Sequence, residues 1–283
     1  MIAKTAPILV ALLAAPIAGG FITAADRILT ARLQARIGPP LLQPFYDVVK
    51  LLSKEKTVVN VWQAFCAYCT VAAAAIAVVL FFLRSDLLLI IFIQAVGAVF
   101  LVMGALSSTS PYSQIGAHRE LLQILAYEPL LILVAVGIYL ETGSFKLDVI
   151  FGSKEPLLLK LPFLFVVLGY ALTIKLRKSP FDLSTSHHAH QELVKGLLTD
   201  YSGPFLALTE IAHWFDIVLI FGFCVLFWTP SWIGMLLLLT VTFFIEILID
   251  NAAARLNWRW MLGYVWAMGI SLSLVNLIWL YQG

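Results

Sequence analysis

The chain has 283 residues, of which 61% are hydrophobic and 12% charged, with a net charge of +2 and a mean hydropathy of +0.97. A soluble domain carries about a quarter charged residues, so this composition excludes a soluble two-domain protein and indicates an all-α, polytopic membrane protein. The small net charge, without a basic run interleaved with aromatics, excludes a nucleic-acid groove.

A spanning helix needs about 20 mainly apolar residues. The first candidate, Ala6–Ala25, is free of charge. Lys4 before it suggests a signal peptide, but the stretch exceeds a usual apolar signal core and is expected to be a retained helix. Asp26–Asn60 is polar and broken by Gly38–Pro40. After that break Leu41, Phe45, Val48 and Leu52 recur at helical spacing, so an amphipathic helix along the membrane surface is expected. Further spans are expected at Val61–Leu83, Leu87–Leu106, Leu121–Leu140, Leu157–Ile174, Pro204–Trp228, Ser231–Ile249 and Met261–Tyr281. Lys160 falls near the start of its span, where its amine can reach the interface. The count is about eight helices in one transmembrane domain covering 1–283.

With eight spans both termini share a side. The first, third, fifth and seventh loops hold 13 of the 18 Lys and Arg, counting Lys175 with its loop, against 4 on the other side. Positive residues favour the cytoplasm, so these loops are expected to be cytoplasmic and the termini external, in the plasma membrane of a prokaryote. The fifth loop, Lys178–Gly203, carries Asp182, His187, His188, His190, Glu192, Lys195 and Asp200, too polar to cross lipid. Its histidines suit either a metal or a hydrogen-bonded docking loop; no metal is expected here. Arg32, Arg36, Arg119, His187, His188, His190 and Lys195 are the candidate interface residues.

Acids inside the spans are functional candidates, because a charge at mid-bilayer is costly. Glu128 is one. Glu210, His213 and Asp216 lie within an arc of about 120°, rising about 4.5 Å per step, and form a polar stripe. Glu246 and Asp250 are four apart and share a face. With Asp182 and Glu192 at the cytoplasmic loop, these residues make a candidate proton path; the competing reading is a set of carboxyls that pin helices together. Cys66 and Cys69 form a C-x-x-C inside an apolar span, with no second pair to complete a four-thiolate cluster. With no G-x-S-x-G, phosphate loop or H-E-x-x-H, the chain is expected to have no catalytic residues of its own.

Several stretches resemble a known family. Ala35–Glu55 (ARIGPPLLQPFYDVVKLLSKE), the tyrosine–glutamate pair of LAYEPL, PFDL at Pro180, QELVKG at Gln191 and YSG at Tyr201 resemble the H subunit, or first NADH-dehydrogenase subunit, of respiratory complex I. The insertion STSHHAH, and Asp250 in IDNAAARL, resemble instead the membrane subunit of energy-converting, Ech-type nickel–iron hydrogenases. That resemblance implies a subunit without its own cofactor. It would sit beneath hydrogenase large and small iron–sulfur subunits that hold the nickel–iron centre and clusters. A ferredoxin-like iron–sulfur subunit and an antiporter-like membrane subunit would complete the set. It implies docking of that arm and coupling of ferredoxin-driven hydrogen formation to ion translocation. A quinone-binding subunit and a passive anchor are the alternatives.

Overall fold

A computed structural model describes residues 2–57, 60–181, 194–254 and 256–282, with side chains from Ile8 onward. Among the described residues the long helices are α1 (Ile2–Leu33), α3 (Val61–Phe82), α4 (Leu87–Leu106), α5 (Pro111–Thr142), α10 (Pro204–Val225), α11 (Trp232–Ala252) and α12 (Trp258–Gln282). All seven are long and apolar enough to cross a membrane. Shorter helices are α2 (Gln43–Leu52), α6 (Leu147–Phe151), α7 (Leu157–Lys160), α8 (Pro162–Lys175) and α9 (Gly196–Thr199). The core lies where α3, α4, α5, α8 and α10 meet, rich in Ala, Leu and Ile of near-zero exposure. α1, α11 and α12 expose apolar faces, as lipid contact requires.

The loops segregate as the spans require. At one end, Asn60 caps α3 through Trp62 N–H and donates to Ser107 O, joining the first and third loops. Ser202 donates to Thr57 O, and Leu256 N–H to Pro180 O, so the fifth and seventh loops share this end. It is called the platform end below. At the far end the backbones of Asp86 and Lys146 form an isolated antiparallel bridge, and Leu158 N–H donates to Phe227 O.

α1 continues eight residues past its expected end at Ala25, and three further elements differ from the sequence expectation. The fifth span is not one helix over Leu157–Ile174. It breaks at Leu161 (φ −123°), because Pro162 lacks an N–H and pushes its predecessor out of the helical region. What remains, α8, has 14 residues. At 1.5 Å per residue it is about 21 Å long, short of about 30 Å of hydrocarbon. Lys160 therefore precedes the helix, bound to Glu141 (2.7 Å) and Glu155 (3.1 Å). Hydrogen bonding to Glu141 first, then to Glu155, raises its pKa. The fourth span gains ten residues at its start, where Pro111 opens α5 and the polar run Tyr112–Glu120 continues the helix. Finally, α2 buries Pro44 and Val48 and packs Phe45 and Leu51 inward, while Leu41 and Leu52 are exposed. It docks on α10 through Trp214 and on α1 through Phe21 (ring centroids 5.2 Å), with Arg27–Asp47 as a tie (3.2 Å). Docking sites, not lipid, choose its inner face.

Two polar contacts from α12 compensate the prolines. Pro129 interrupts α5 and cannot donate to Leu125 O; Trp266 Nε1 of α12 reaches that carbonyl at 3.4 Å. Asn276, fully buried on α12, caps α8. Its Oδ1 accepts from Phe163 N–H (2.9 Å) and Leu164 N–H (3.1 Å), and its Nδ2 donates to Lys160 O (3.0 Å). A helix starting inside a bundle needs such a partner. Asn276→Leu leaves two buried N–H groups unpaired and is expected to destabilise the protein by about 2–4 kcal/mol. Asn276→Asp keeps the acceptor and should lose less, as read from thermal unfolding in detergent.

Candidate functional site

The inner end of α8 organises the site. The helix stops at Lys175, and the chain turns through Arg177 in the left-handed region (φ 55°). Arg177 N–H donates to Ile174 O and Lys178 N–H to Thr173 O, a Schellman turn. A non-glycine residue in this conformation costs about 1–2 kcal/mol. The turn fans Lys175, Arg177 and Lys178 outward at the negative end of the helix dipole. Buried cations need counter-charges, and two groups of acids supply them.

The first group surrounds a cavity of about 40 Å³ between α3, α4, α5, α8 and α10. Glu120, Gln123 and Tyr127 line it from α5, Gln94 from α4, Thr70 from α3, and His213 and Asp216 from α10, with Lys175 and Arg177 closing it. Lys175 Nζ sits 4.7 Å above the Tyr127 ring, and Tyr127, Asp216 and Glu120 are its polar neighbours. Gln94 Nε2 donates to Asp216 Oδ1 (3.1 Å). Glu120 Oε2 is buried with no protein hydrogen-bond partner. One water needs about 10–15 Å³, so the cavity has room for water, a suitable partner for Glu120 Oε2. Carboxylates, an imidazole and water in one enclosure can pass a proton among themselves.

The second group lies on the other side of the same turn. Lys178, itself buried, holds Asp26 of α1 at 2.5 Å and stands over the Phe243 ring. Asp250 of α11 accepts Ser179 N–H (2.9 Å), and Ser179 Oγ donates to Ala253 O. Glu246, one turn back on α11, meets Thr173 of α8 (2.9 Å).

Of the sequence-derived candidates, His213 and Asp216 line the cavity together, and Glu246 and Asp250 share the second group. Glu128 stands next to the first group: its Oε1 is buried without a hydrogen-bond partner, and it lies within the field of Lys175. Glu210 lies one turn from His213 toward the platform end and is not among the residues lining the cavity. Asp182, His187, His188, His190, Glu192 and Arg255 lie outside the described residues. Sequence reading missed Glu120, Gln94, Lys175, Arg177, Asp26 and Lys178 as site residues. Glu120, Gln123 and Tyr127 recur at helical spacing with Glu128 beside them, a signal hidden by taking α5 to start at Leu121.

A family model described as NADH dehydrogenase matches residues 6–281. The chain belongs to this family. It is 28% identical over 316 aligned positions to the second H subunit of the NADH-quinone oxidoreductase of Syntrophobacter fumaroxidans, covering 98% of this chain and 94% of that one. It is 31% identical over 205 positions to hydrogenase-4 component C of Escherichia coli K12, covering 66% and 64%. Its fold is shared with a chain from the membrane-bound sulfane sulfur reductase, an archaeal respiratory membrane complex, at a TM-score of 0.88 and 21% identity over 98% of this chain and 99% of that one. The chain is a membrane subunit of a complex I-like respiratory complex.

In this family member the motif residues of the platform end have packing roles. Gly196 of QELVKG presses against the Tyr112 carbonyl and Gly116 of α5, an approach that leaves no room for a Cβ. Gly203 of YSG has φ +50° beside Glu55 O. Tyr201 donates to Leu101 O (3.3 Å), and its hydroxyl presses against Gly104 of α4. Burial raises the Tyr201 phenol's pKa. Asp200 meets Ser108 Oγ. Arg32 and Arg36 are exposed, with Ile37 97% exposed beside them, and Lys195 is partly exposed. Arg119 instead stacks over Trp258 at 5.3 Å.

Proposed function

We propose that the chain is the membrane subunit of a ferredoxin-linked, energy-converting nickel–iron hydrogenase. In this reading the platform end docks the hydrogenase large and small subunits and a ferredoxin-like subunit, which hold the nickel–iron centre and the clusters. An antiporter-like subunit lies beside the chain in the membrane, and the buried charges couple electron transfer to proton movement. The observation that carries the coupling is the water-sized cavity in which Glu120, His213 and Asp216 face Lys175 and Arg177. Supporting the hydrogenase assignment are the likeness to hydrogenase-4 component C and the STSHHAH and DNAAARL stretches. The 13-to-4 distribution of Lys and Arg supports a cytoplasmic platform end and external termini.

The chemistry needs no covalent step on this chain. A proton entering from the platform end is held on a carboxylate or on His213. It passes through cavity water when the balance between Lys175 and its acids changes. Glu128, Glu210, Glu246 and Asp250 extend the path along α5, α10 and α11. An acid can take up and release a proton; an amide of the same size cannot.

Two measurements test this reading. The complex purified through a tag on this chain is expected to contain nickel; quinone in stoichiometric amount without nickel would contradict the hydrogenase assignment. Ferredoxin added outside should drive proton uptake in inverted vesicles and not in right-side-out ones. Asp216→Asn should cut that uptake by about 100-fold, the scale of a lost proton carrier, while Asp216→Glu retains most of it. Wild-type uptake by an assembled Asp216→Asn complex would remove Asp216 from the path, and activity in right-side-out vesicles would invert the topology.

A further inference from the structure

The proton path above leaves one contact unexplained. Glu246 is 3% exposed, and the hydrogen-bond partner of its Oε2 is a hydroxyl. Thr173 Oγ1 lies 2.9 Å from Glu246 Oε2 and also 2.9 Å from Gly169 O, one turn back on its own helix. A hydroxyl has one hydrogen and two acceptor lone pairs. It can donate to only one of these oxygens at full strength, so the two contacts must differ in the direction of donation or alternate.

We infer that Thr173 is a positioning residue that lets Glu246 take up and release a proton while its heavy atoms stay in place. With Glu246 protonated, the carboxylic O–H donates to Thr173 Oγ1, and the Thr173 hydrogen goes to Gly169 O. With Glu246 ionised, the Thr173 hydroxyl rotates and donates to Oε2. Gly169 O then keeps its ordinary helical bond from the Thr173 N–H. Neither state leaves the Thr173 hydroxyl, Gly169 O or Glu246 Oε2 unpaired, which favours cheap proton exchange in a dry site. In the exchange one O–H bond breaks at Glu246, and one forms on water or on Asp250, one helical turn further toward the platform end.

The surroundings fit this role. The titratable groups facing Glu246 are Asp250 on its own helix, Asp26 on α1, Lys178 after α8 and Cys224 on α10. Asp26 is held by Lys178 and Asp250 by Ser179 N–H. Glu246 has a reversible hydroxyl as its partner, and it is the most buried of the three acids. Lys178, close to both Asp26 and Glu246, offsets the negative charge that appears when Glu246 ionises. Valine at position 173 would keep the volume and lose both directions of donation; serine would keep both.

The inference deepens the coupling reading and rests on it for any role in transport, but its test does not use transport. The intact complex in lipid nanodiscs is titrated with pH while its infrared carbonyl bands are recorded. A carboxylic band that rises and falls with pH and is missing in Glu246→Gln is the expected signature. In Thr173→Val that band should move to the frequency of a weakly bonded acid, with its midpoint displaced by about one pH unit, the scale of one lost hydrogen bond. Thr173→Ser should restore both. A Glu246 band that is absent at every pH, or unchanged in Thr173→Val, would overturn the inference. If the infrared result holds while Asp216→Asn pumps normally, the coupling reading fails and the proton-exchange pair stands. If Asp216→Asn stops pumping and the band ignores Thr173, the reverse is true.

Discussion

The structure depends on one constraint: three cations at the inner end of a short helix must be neutralised inside a membrane bundle. Lys175, Arg177 and Lys178 follow one another at the end of α8; Lys178 is buried and the other two are half-buried, so none keeps a full solvent shell. Their counter-charges come from four other helices: Asp26 on α1, Glu120 and Glu128 on α5, Asp216 on α10, and Glu246 and Asp250 on α11. The polar core is thus a set of mutual obligations between helices far apart in sequence. Moving one charge shifts the balance of the others. That property distinguishes a proton-handling core from a row of isolated salt bridges.

The shortness of α8 makes this possible. A full-length span would carry its terminal cations to the membrane surface, where water screens them. Breaking the span at Pro162 and capping it with Asn276 starts the helix inside the far end and stops it short of the platform end. The Schellman turn at Arg177 then directs neighbouring cations toward opposite sides. The 194–203 segment covers the platform side of the bundle by close backbone packing at Gly196 and Gly203.

Much of the fold was legible in the sequence, because spans are written in long apolar runs. Seven of the expected spans each overlap a long helix, although α5 begins ten residues before its expected start, and the fifth breaks at Pro162. The breaks were harder. Pro162 sits in an apolar run whose average hides it, and the cap that rescues α8 comes from Asn276, 114 positions after Pro162. In the site, His213, Asp216, Glu246 and Asp250 were found because a charge inside an apolar span is conspicuous. Glu120, Lys175, Arg177 and Lys178 were assigned to loops because they sit at span edges, where a charge is ordinary. Only packing shows that these edges are interior. Histidine and carboxylate positions 182–192 lie outside the described residues, so their expected docking role rests on the sequence.

The central claim is that Lys175 and the cavity acids are held by one another. The direct test is a double-mutant cycle on stability in detergent. Lys175→Met leaves Glu120 and Asp216 without their cation and should destabilise the protein by about 3–5 kcal/mol. Adding Glu120→Gln should recover a substantial part of that loss, because it removes one of the acids left without its cation. Additive losses in the double variant, or a neutral Lys175→Met, would contradict the account, since Lys175 would then be a cation with no buried counter-charge to answer.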